Sequence, residues 1–265
     1  MRGNADHGRR DKRFWLCLEA ACLAAFLVLA IILVIRFTRQ AQRSTEEQDA
    51  QEAMTVIQEE RSPEPSQTSL PSQAPQQMFE YAQELLQTND DLVGMVGFDD
   101  MALYVCQCED NAYYASHRFD KSEDPAGMIY MDCRCSAWPL GQNTILYGHN
   151  MRDGSRFGKL NRFTSAEYLI KHPYVRYASL YEIHDYQPIT VFYANVNSES
   201  TDYFDFAVTE FSDESAFDAY IQEIKQRSVI DIPVTAQYGD NLLTLATCSE
   251  TGEGGRLVIV CKPIE

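Results

Sequence analysis

Polar and apolar positions along this chain fall into blocks whose period changes more than once. Residues 14–35 form an apolar run, FWLCLEAACLAAFLVLAIILVI, with Glu19 as its only charge. At about 1.5 Å per residue, a helix of that length spans a hydrocarbon layer of about 30 Å. A cleaved export signal would have a shorter apolar core, about 7–15 residues, followed by a small-residue cleavage site. The following RFTRQAQRS is not such a site, so the pattern predicts a basic head over 1–13 and an uncleaved membrane anchor over 14–37. Arg2, Arg9, Arg10, Lys12 and Arg13 precede the span, whereas only Arg36, Arg39 and Arg43 follow it. That asymmetry places the N-terminus inside and the rest of the chain outside the cell.

Residues 38–77 are rich in Gln, Glu, Ser and Pro and nearly free of large apolar side chains. The part from Ser44 to Arg61 is compatible with a solvated helix. The following SPEPSQTSLPSQAP is not, because each proline lacks an amide donor and drives its predecessor to extended conformations. The reading is a stalk. Helical spacing returns with Phe79, Ala82, Leu85 and Leu86, which open a body over 78–265. Strand patterns then dominate: MALYVCQC, GMIYMDC, NTILYGH, PITVFYANV, YFDFAVTEF, LLTLATC and RLVIVC are short runs rich in β-branched and aromatic residues. One later segment, SDESAFDAYIQEIKQRS, reads as a helix with Ser212 as its cap and Phe217, Tyr220, Ile221 and Ile224 on one face. Many strands with few intervening helices predict a mainly β fold, a barrel or sandwich.

The charge follows the same division. Up to Arg43 there are 8 basic and 3 acidic residues; from Ser44 onward there are 14 and 36, so a head of +5 precedes a remainder of −22. An acidic body has no basic footprint for phosphate, which excludes a nucleic-acid partner. No segment reads as a cofactor site.

The last two strand patterns flank SETGEGG, whose glycines suit the turn of an antiparallel hairpin. Alternation puts Leu242, Thr244, Ala246 and Cys248 on one face of the first strand. In the second, Arg256, Val258 and Val260 share a face, with Cys261 on the other. Cys248 and Arg256 thus close the two strand ends beside one loop, and Cys261 reads as core. A free thiol is only a few per cent thiolate at neutral pH, so a cysteine nucleophile needs a cation or base nearby. Arg256 supplies a cation or an oxyanion donor. Among five histidines, His149 ends the strand-like TILYGH, from which it can reach an adjacent strand end, whereas His117, His172 and His184 lie in polar stretches.

The stretch TLATC followed by an arginine, with ILYGHNMRDGSRFGKLNRF about a hundred residues earlier, closely resembles the sortase family, specifically class B. From about Asn89 to the C-terminus, NDDLVGMVGF, DNAYYASHRFD, GMIYMD, YGHNM, FGKL, HPYV and TLATC occur in that family's order. The resemblance implies an eight-stranded sortase-type β-barrel with a helix at its start and another before the last strands. It also implies a membrane-anchored cysteine transpeptidase, on the outer face of a Gram-positive envelope, that uses no cofactor or metal. By that similarity Cys248 attacks the carbonyl of a Thr in a C-terminal sorting signal. His149 serves as general acid and then base, and Arg256 holds peptide and oxyanion. Asn111, Tyr147 and Thr247 would contact substrate. The implied partners are secreted proteins bearing the signal and an amine acceptor such as a peptidoglycan precursor. Class B members often carry Ser before the Thr-Cys pair, where this chain has Ala246, so its peptide preference is open. A peptidase that releases the acyl group to water would use the same Cys and His. A non-catalytic envelope scaffold would have no reason to keep all three groups.

Cys106 with Cys108, and Cys133 with Cys135, form two CxC pairs. In an exported body a disulfide between the two pairs is favoured over zinc, whose structural sites use looser turn spacing, and free thiols are equally compatible. Cys17 and Cys22 read as apolar filler of the span.

Overall fold

The computed structural model describes residues 7–61, 77–248 and 254–264. The chain divides into two units between Thr45 and Glu46. Helix α1 (His7–Arg61) contributes to both. In the first unit, its side chains Leu23, Phe26, Leu27 and Leu33 are exposed, and the helix is long and apolar enough to cross a membrane.

The second unit contains the helices α2 (Glu80–Thr88), α3 (Ala166–Lys171) and α4 (Glu214–Gln226). Its strands are β1 (Leu92–Phe98), β2 (Met101–Cys106), β3 (Ile129–Met131), β4 (Asn143–Gly148), β5 (Val175–Ser179), β6 (Ile183–Asn195), β7 (Leu242–Cys248) and β8 (Gly255–Pro263). These eight strands close into a barrel in the order β1-β2-β3-β4-β7-β8-β6-β5, as the resemblance implies. Two pairs, β2 with β3 and β4 with β7, are parallel, and the other pairs are antiparallel.

Strand alternation sorts the side chains into layers. On β2, Met101, Leu103 and Val105 point into the barrel with Phe98, Ile129, Leu146, Leu245 and Ile259. Its other face, Ala102, Tyr104 and Cys106, packs outward against α2 and the end of α1. On β7 and β8, Leu243, Leu245, Leu257, Ile259 and Cys261 face inward. Leu242, Ala246, Val258 and Val260 face outward beneath Phe217, Tyr220, Ile221 and Ile224 of α4. These are the four positions expected to form that helix's apolar face, and Cys261 is core as its alternation requires. The cap differs from expectation: Asp213, not Ser212, accepts the Ala216 amide at 2.9 Å. A carboxylate there also meets the positive end of the helix dipole.

Two strands, β1 and β5, were not legible as patterns. In LVGMVGF the glycines interrupt the apolar rhythm, yet Gly94 is needed because any Cβ would collide with the Ala178 carbonyl on β5. Conversely, the strand expected at YFDFAVTEF is an irregular segment over 204–211. Its apolar side chains are nonetheless buried, since Phe206 and Phe211 enter the layer beneath α4. Its carbonyls, however, are taken by individual donors. The Asn143 side chain reaches Val208 O at 2.7 Å, the Asn143 amide reaches Thr209 O at 3.1 Å, and Tyr220 Oη reaches Phe206 O at 3.0 Å.

Within the span expected as a solvated stalk, residues 46–61 are helical and bury Ala50, Met54 and Ile57 among Met95, Ala102 and Tyr104. The spacing i, i+4, i+7 gives one apolar stripe, and three small-to-medium side chains are enough to dock it. At the start of this segment, Glu46 accepts from Arg156 Nη1 at 2.7 Å. Arg156 is buried, so the carboxylate compensates a charge withdrawn from water. The remainder of the stalk, 62–76, lies outside the described residues.

Neighbouring positions on this segment separate docking from helix propensity. Ile57→Ala is expected to cost about 2–5 kcal/mol. Val56→Ala, at an exposed position, should stay within about 0.5 kcal/mol. Urea unfolding of the chain in mild detergent measures both, and equal effects would mean that the stripe does not dock.

Candidate active site

A cleft of about 390 Å³ opens where the ends of β4, β7 and β8 lie side by side. The strand register accounts for its contents. On β4, Gly148 pairs with Thr247 of β7, and on β8, Arg256 pairs with Cys248. One step beyond the Gly148 pair, the parallel register sets His149 alongside Cys248. Adjacent strands are about 4.8 Å apart, so the backbones of His149, Cys248 and Arg256 occupy one rim, although more than ninety residues separate the first two in the chain.

Gly148 is required at this rim. A Cβ there would strike the Ile129 side chain and approach Phe157 to 2.9 Å. The chain can therefore leave β4 close to the barrel mouth, and His149 follows at once. Its carbonyl accepts from the Phe157 amide at 3.1 Å, which folds the next loop back on itself. The ring Nε2 lies 2.8 Å from Ala115 O. If Nε2 carries the proton donated there, Nδ1 is the basic nitrogen. His117, His172 and His184 sit elsewhere, against Tyr113 O, Asp99 and Glu182 respectively.

Arg256 lines the cleft and donates from Nη1 to the Gly255 carbonyl at 2.9 Å. Asn111, Tyr147 and Thr247 line it as well. Thr247 is 1 % exposed, and its Oγ1 is buried without a hydrogen-bond partner among the described residues. A hydroxyl in that condition is costly unless something completes it. Every predicted site residue except Cys248 therefore has a side chain in this one cleft, and Cys248 is placed at the same rim by its backbone.

The other thiols contrast with what a nucleophile needs. Burial pushes the Cys106 thiol well above its ordinary range and that of Cys135 up to about 11, which keeps both protonated. Cys106, Cys108, Cys133 and Cys135 are all free. Cys106 belongs to the layer outside β2, whereas Cys135 packs against the barrel interior, so those two do not meet. Among the described residues, no group of three or more His, Cys, Asp and Glu is arranged to hold a metal ion.

Sequence reasoning missed Asp132 and Arg134. The Asp132 side chain is fully buried, and its carboxylate accepts from Tyr147 Oη at 2.8 Å, Arg134 Nε at 2.9 Å, Arg134 Nη2 at 2.7 Å and the Arg134 amide at 3.0 Å. Burial alone would raise its pKa. The Arg134 and Tyr147 hydrogen bonds outweigh that and bring it down to about 2. Burial, with the adjacent Asp132 charge, also raises the Tyr147 phenol and keeps it protonated. In the sequence, MDCRC showed only a strand ending at two cysteines.

No family model matches the chain. It is 34% identical over 183 residues to Sortase B of Listeria monocytogenes, covering 68% of this chain and 72% of that protein. It is 28% identical over 189 residues to Sortase B of Staphylococcus aureus, covering 69% and 74%. Among solved structures, sortase B from B. anthracis superposes with a TM-score of 0.68 at 28% identity, covering 86% of this chain and 99% of that one.

The low pKa of Asp132 makes a signed prediction. A carboxylate held at about 2 in the fold against an ordinary 3.8 contributes stability above pH 3.8, which is lost as pH falls to about 2. The difference is roughly 2 kcal/mol. Urea titrations of wild type and Asp132→Asn should diverge most at neutral pH and converge as pH falls from 4 to 2. A gap independent of pH would mean that the charge is not what stabilises the turn.

Proposed function

Because the chain belongs to the class B sortases, and is a cysteine transpeptidase of the kind that attaches proteins to the cell wall, we propose that Cys248, His149 and Arg256 are its catalytic groups. The observation that carries this is the shared rim of β4, β7 and β8, where a histidine, a cysteine and an arginine from three strand ends adjoin one cleft.

The chemistry follows from what each group can do. The Cys248 thiolate attacks the carbonyl carbon of the Thr in a sorting signal laid along the cleft, forming an S–C bond and a tetrahedral oxyanion. Arg256 donates to that oxyanion, and its planar fork can hold the neighbouring peptide carbonyl at the same time. As the C–N bond breaks, His149 gives its proton to the leaving amine. The thioester remains on Cys248. An amine of a peptidoglycan precursor then attacks it, His149 takes the proton from that amine, and the thiolate leaves as the new amide forms. Atoms and charge balance without metal or cofactor. Asn111, Tyr147 and Thr247 contact the peptide, and the unpaired Thr247 hydroxyl is suited to a peptide N–H or C=O. Ala246 sits where a serine would add a hydroxyl, so this enzyme reads its peptide with one fewer polar group.

The apolar part of α1 anchors the enzyme as a single span with its N-terminus inside. The catalytic barrel then lies outside, where secreted proteins and wall precursors meet.

Mass spectrometry of the chain incubated with a small library of sorting-type peptides should show an acyl adduct on Cys248, and several amines should release it as amide products. Cys248→Ala should abolish adduct and cleavage; unchanged cleavage in that variant would remove the nucleophile assignment. Arg256→Lys preserves charge but not the fork, and turnover should fall at least tenfold. Wild-type turnover would exclude the oxyanion role. Release to water at the same rate with and without amine would make the enzyme a peptidase.

A further inference from the structure

The geometry points to Asp132 and Arg134 as positioning residues that set the shape of the peptide cleft, by tying three of its separate walls to one turn over 132–135. This rests on the cleft being the sorting-peptide site and goes beyond it, because neither residue lines the cleft itself.

The three ties come from different atoms of the turn. Tyr147, on β4, donates its phenol proton to Asp132 Oδ2 at 2.8 Å. Ala207, on the irregular segment, receives Arg134 Nη2 on its carbonyl at 3.0 Å. Asn111, on the loop after β2, accepts the Cys133 amide on Oδ1 at 2.8 Å. Tyr147, Ala207 and Asn111 all line the cleft. The Ala207 wall belongs to no strand, and single hydrogen bonds rather than a ladder set its distance from β4: Asn143, at the start of that strand, binds Val208 O at 2.7 Å and Thr209 O at 3.1 Å. Arg134 adds the tie at Ala207, which lines the cleft, and through Asp132 links it to Tyr147 near the other end of β4.

The turn is built to hold such load. It closes on itself through the Cys135 amide and Asp132 O at 2.9 Å. The Gln107 side chain donates to Asp132 O at 2.9 Å and to Cys135 O at 2.8 Å, and the Asp132 amide donates to Ile145 O at 2.9 Å. The Asp132 carboxylate has every acceptor direction engaged, and half-exposed Arg134 divides its donors between that carboxylate and Ala207. Stability alone would not demand this arrangement, since apolar groups can fill such a space as well. Directional bonds to three cleft walls are what an apolar replacement would lose. A further consequence concerns recognition: with its only proton committed to Asp132, the Tyr147 phenol can act toward a bound peptide only as an acceptor. The peptide position beside it must therefore offer an N–H or O–H.

Kinetic, labelling and binding readouts on the full chain in detergent test this. In steady-state cleavage of a sorting-type peptide, Asp132→Asn and Arg134→Lys should each raise KM about tenfold while kcat changes less than about threefold. Alkylation of Cys248 by iodoacetamide, a reagent that needs no cleft wall, should proceed at the wild-type rate. Anisotropy of the labelled peptide on the Cys248→Ala chain, with and without Asp132→Asn, reads binding apart from turnover. Lost adduct formation in wild type with peptide binding still dependent on Asp132 would sink the proposed activity and leave this inference standing. Lowered melting temperature with unchanged KM and peptide affinity in both variants would overturn it. Should Asp132→Asn fail to fold, Arg134→Lys keeps the charge beside Asp132 and decides alone.

Discussion

Parallel strands cannot be joined by a tight turn, so pairing β4 with β7 forces the chain through β5, β6 and α4 before it returns alongside. The cleft depends on that detour. It brings the end of β4, which carries His149, level with the end of β7, which carries Cys248, and the final hairpin then adds Arg256 at the same height. Closing the sheet into a barrel removes free edges and leaves the strand ends as the rim on which side chains can converge.

The long connection also supplies the cleft with a wall of unlike character. Ladders hold the parts of the lining that come from β3, β4, β7 and β8, whereas the 204–211 segment is held by apolar anchors on one side and by single hydrogen bonds on the other. A wall without a ladder can vary in length and sequence without disturbing the barrel, and polar ties then determine where it stands. The buried Asp132 carboxylate is costly to desolvate, and its four short donors offset that cost. The docked end of α1 follows the same logic, with Glu46 meeting buried Arg156 in the loop that follows His149.

Much of the barrel was legible because strands largely buried on both faces leave a signature of short, nearly continuous runs rich in β-branched and aromatic residues. β2, β3, β4, β6, β7 and β8 all carry it, and α4 shows its period in Phe217, Tyr220, Ile221 and Ile224. β1 was hidden by glycines that exist for backbone approach, since Gly94 answers to Ala178 on another strand. At 203–211 the aromatic and β-branched content was present and the strand was not, because such content reports which side chains are buried and not which carbonyls find a ladder. The stripe Ala50, Met54 and Ile57 was obscured by the polar residues around it. His149 and Arg256 were legible as strand-end groups, and both line the cleft. Asp132 and Arg134 left no local mark, because their partners Tyr147 and Ala207 are remote in sequence.

By itself, the sequence determined the apolar span, the division of charge, most strands and the residues able to carry acyl transfer, since these depend on composition and on spacing within one element. Its motifs also resembled the family to which the chain belongs. Only the tertiary structure decided which strand ends adjoin, which thiols are buried and held protonated, and which turn gathers Tyr147, Asn111 and Ala207. Those outcomes depend on register between strands far apart in the chain, and register is settled when the closed barrel satisfies every backbone group at once.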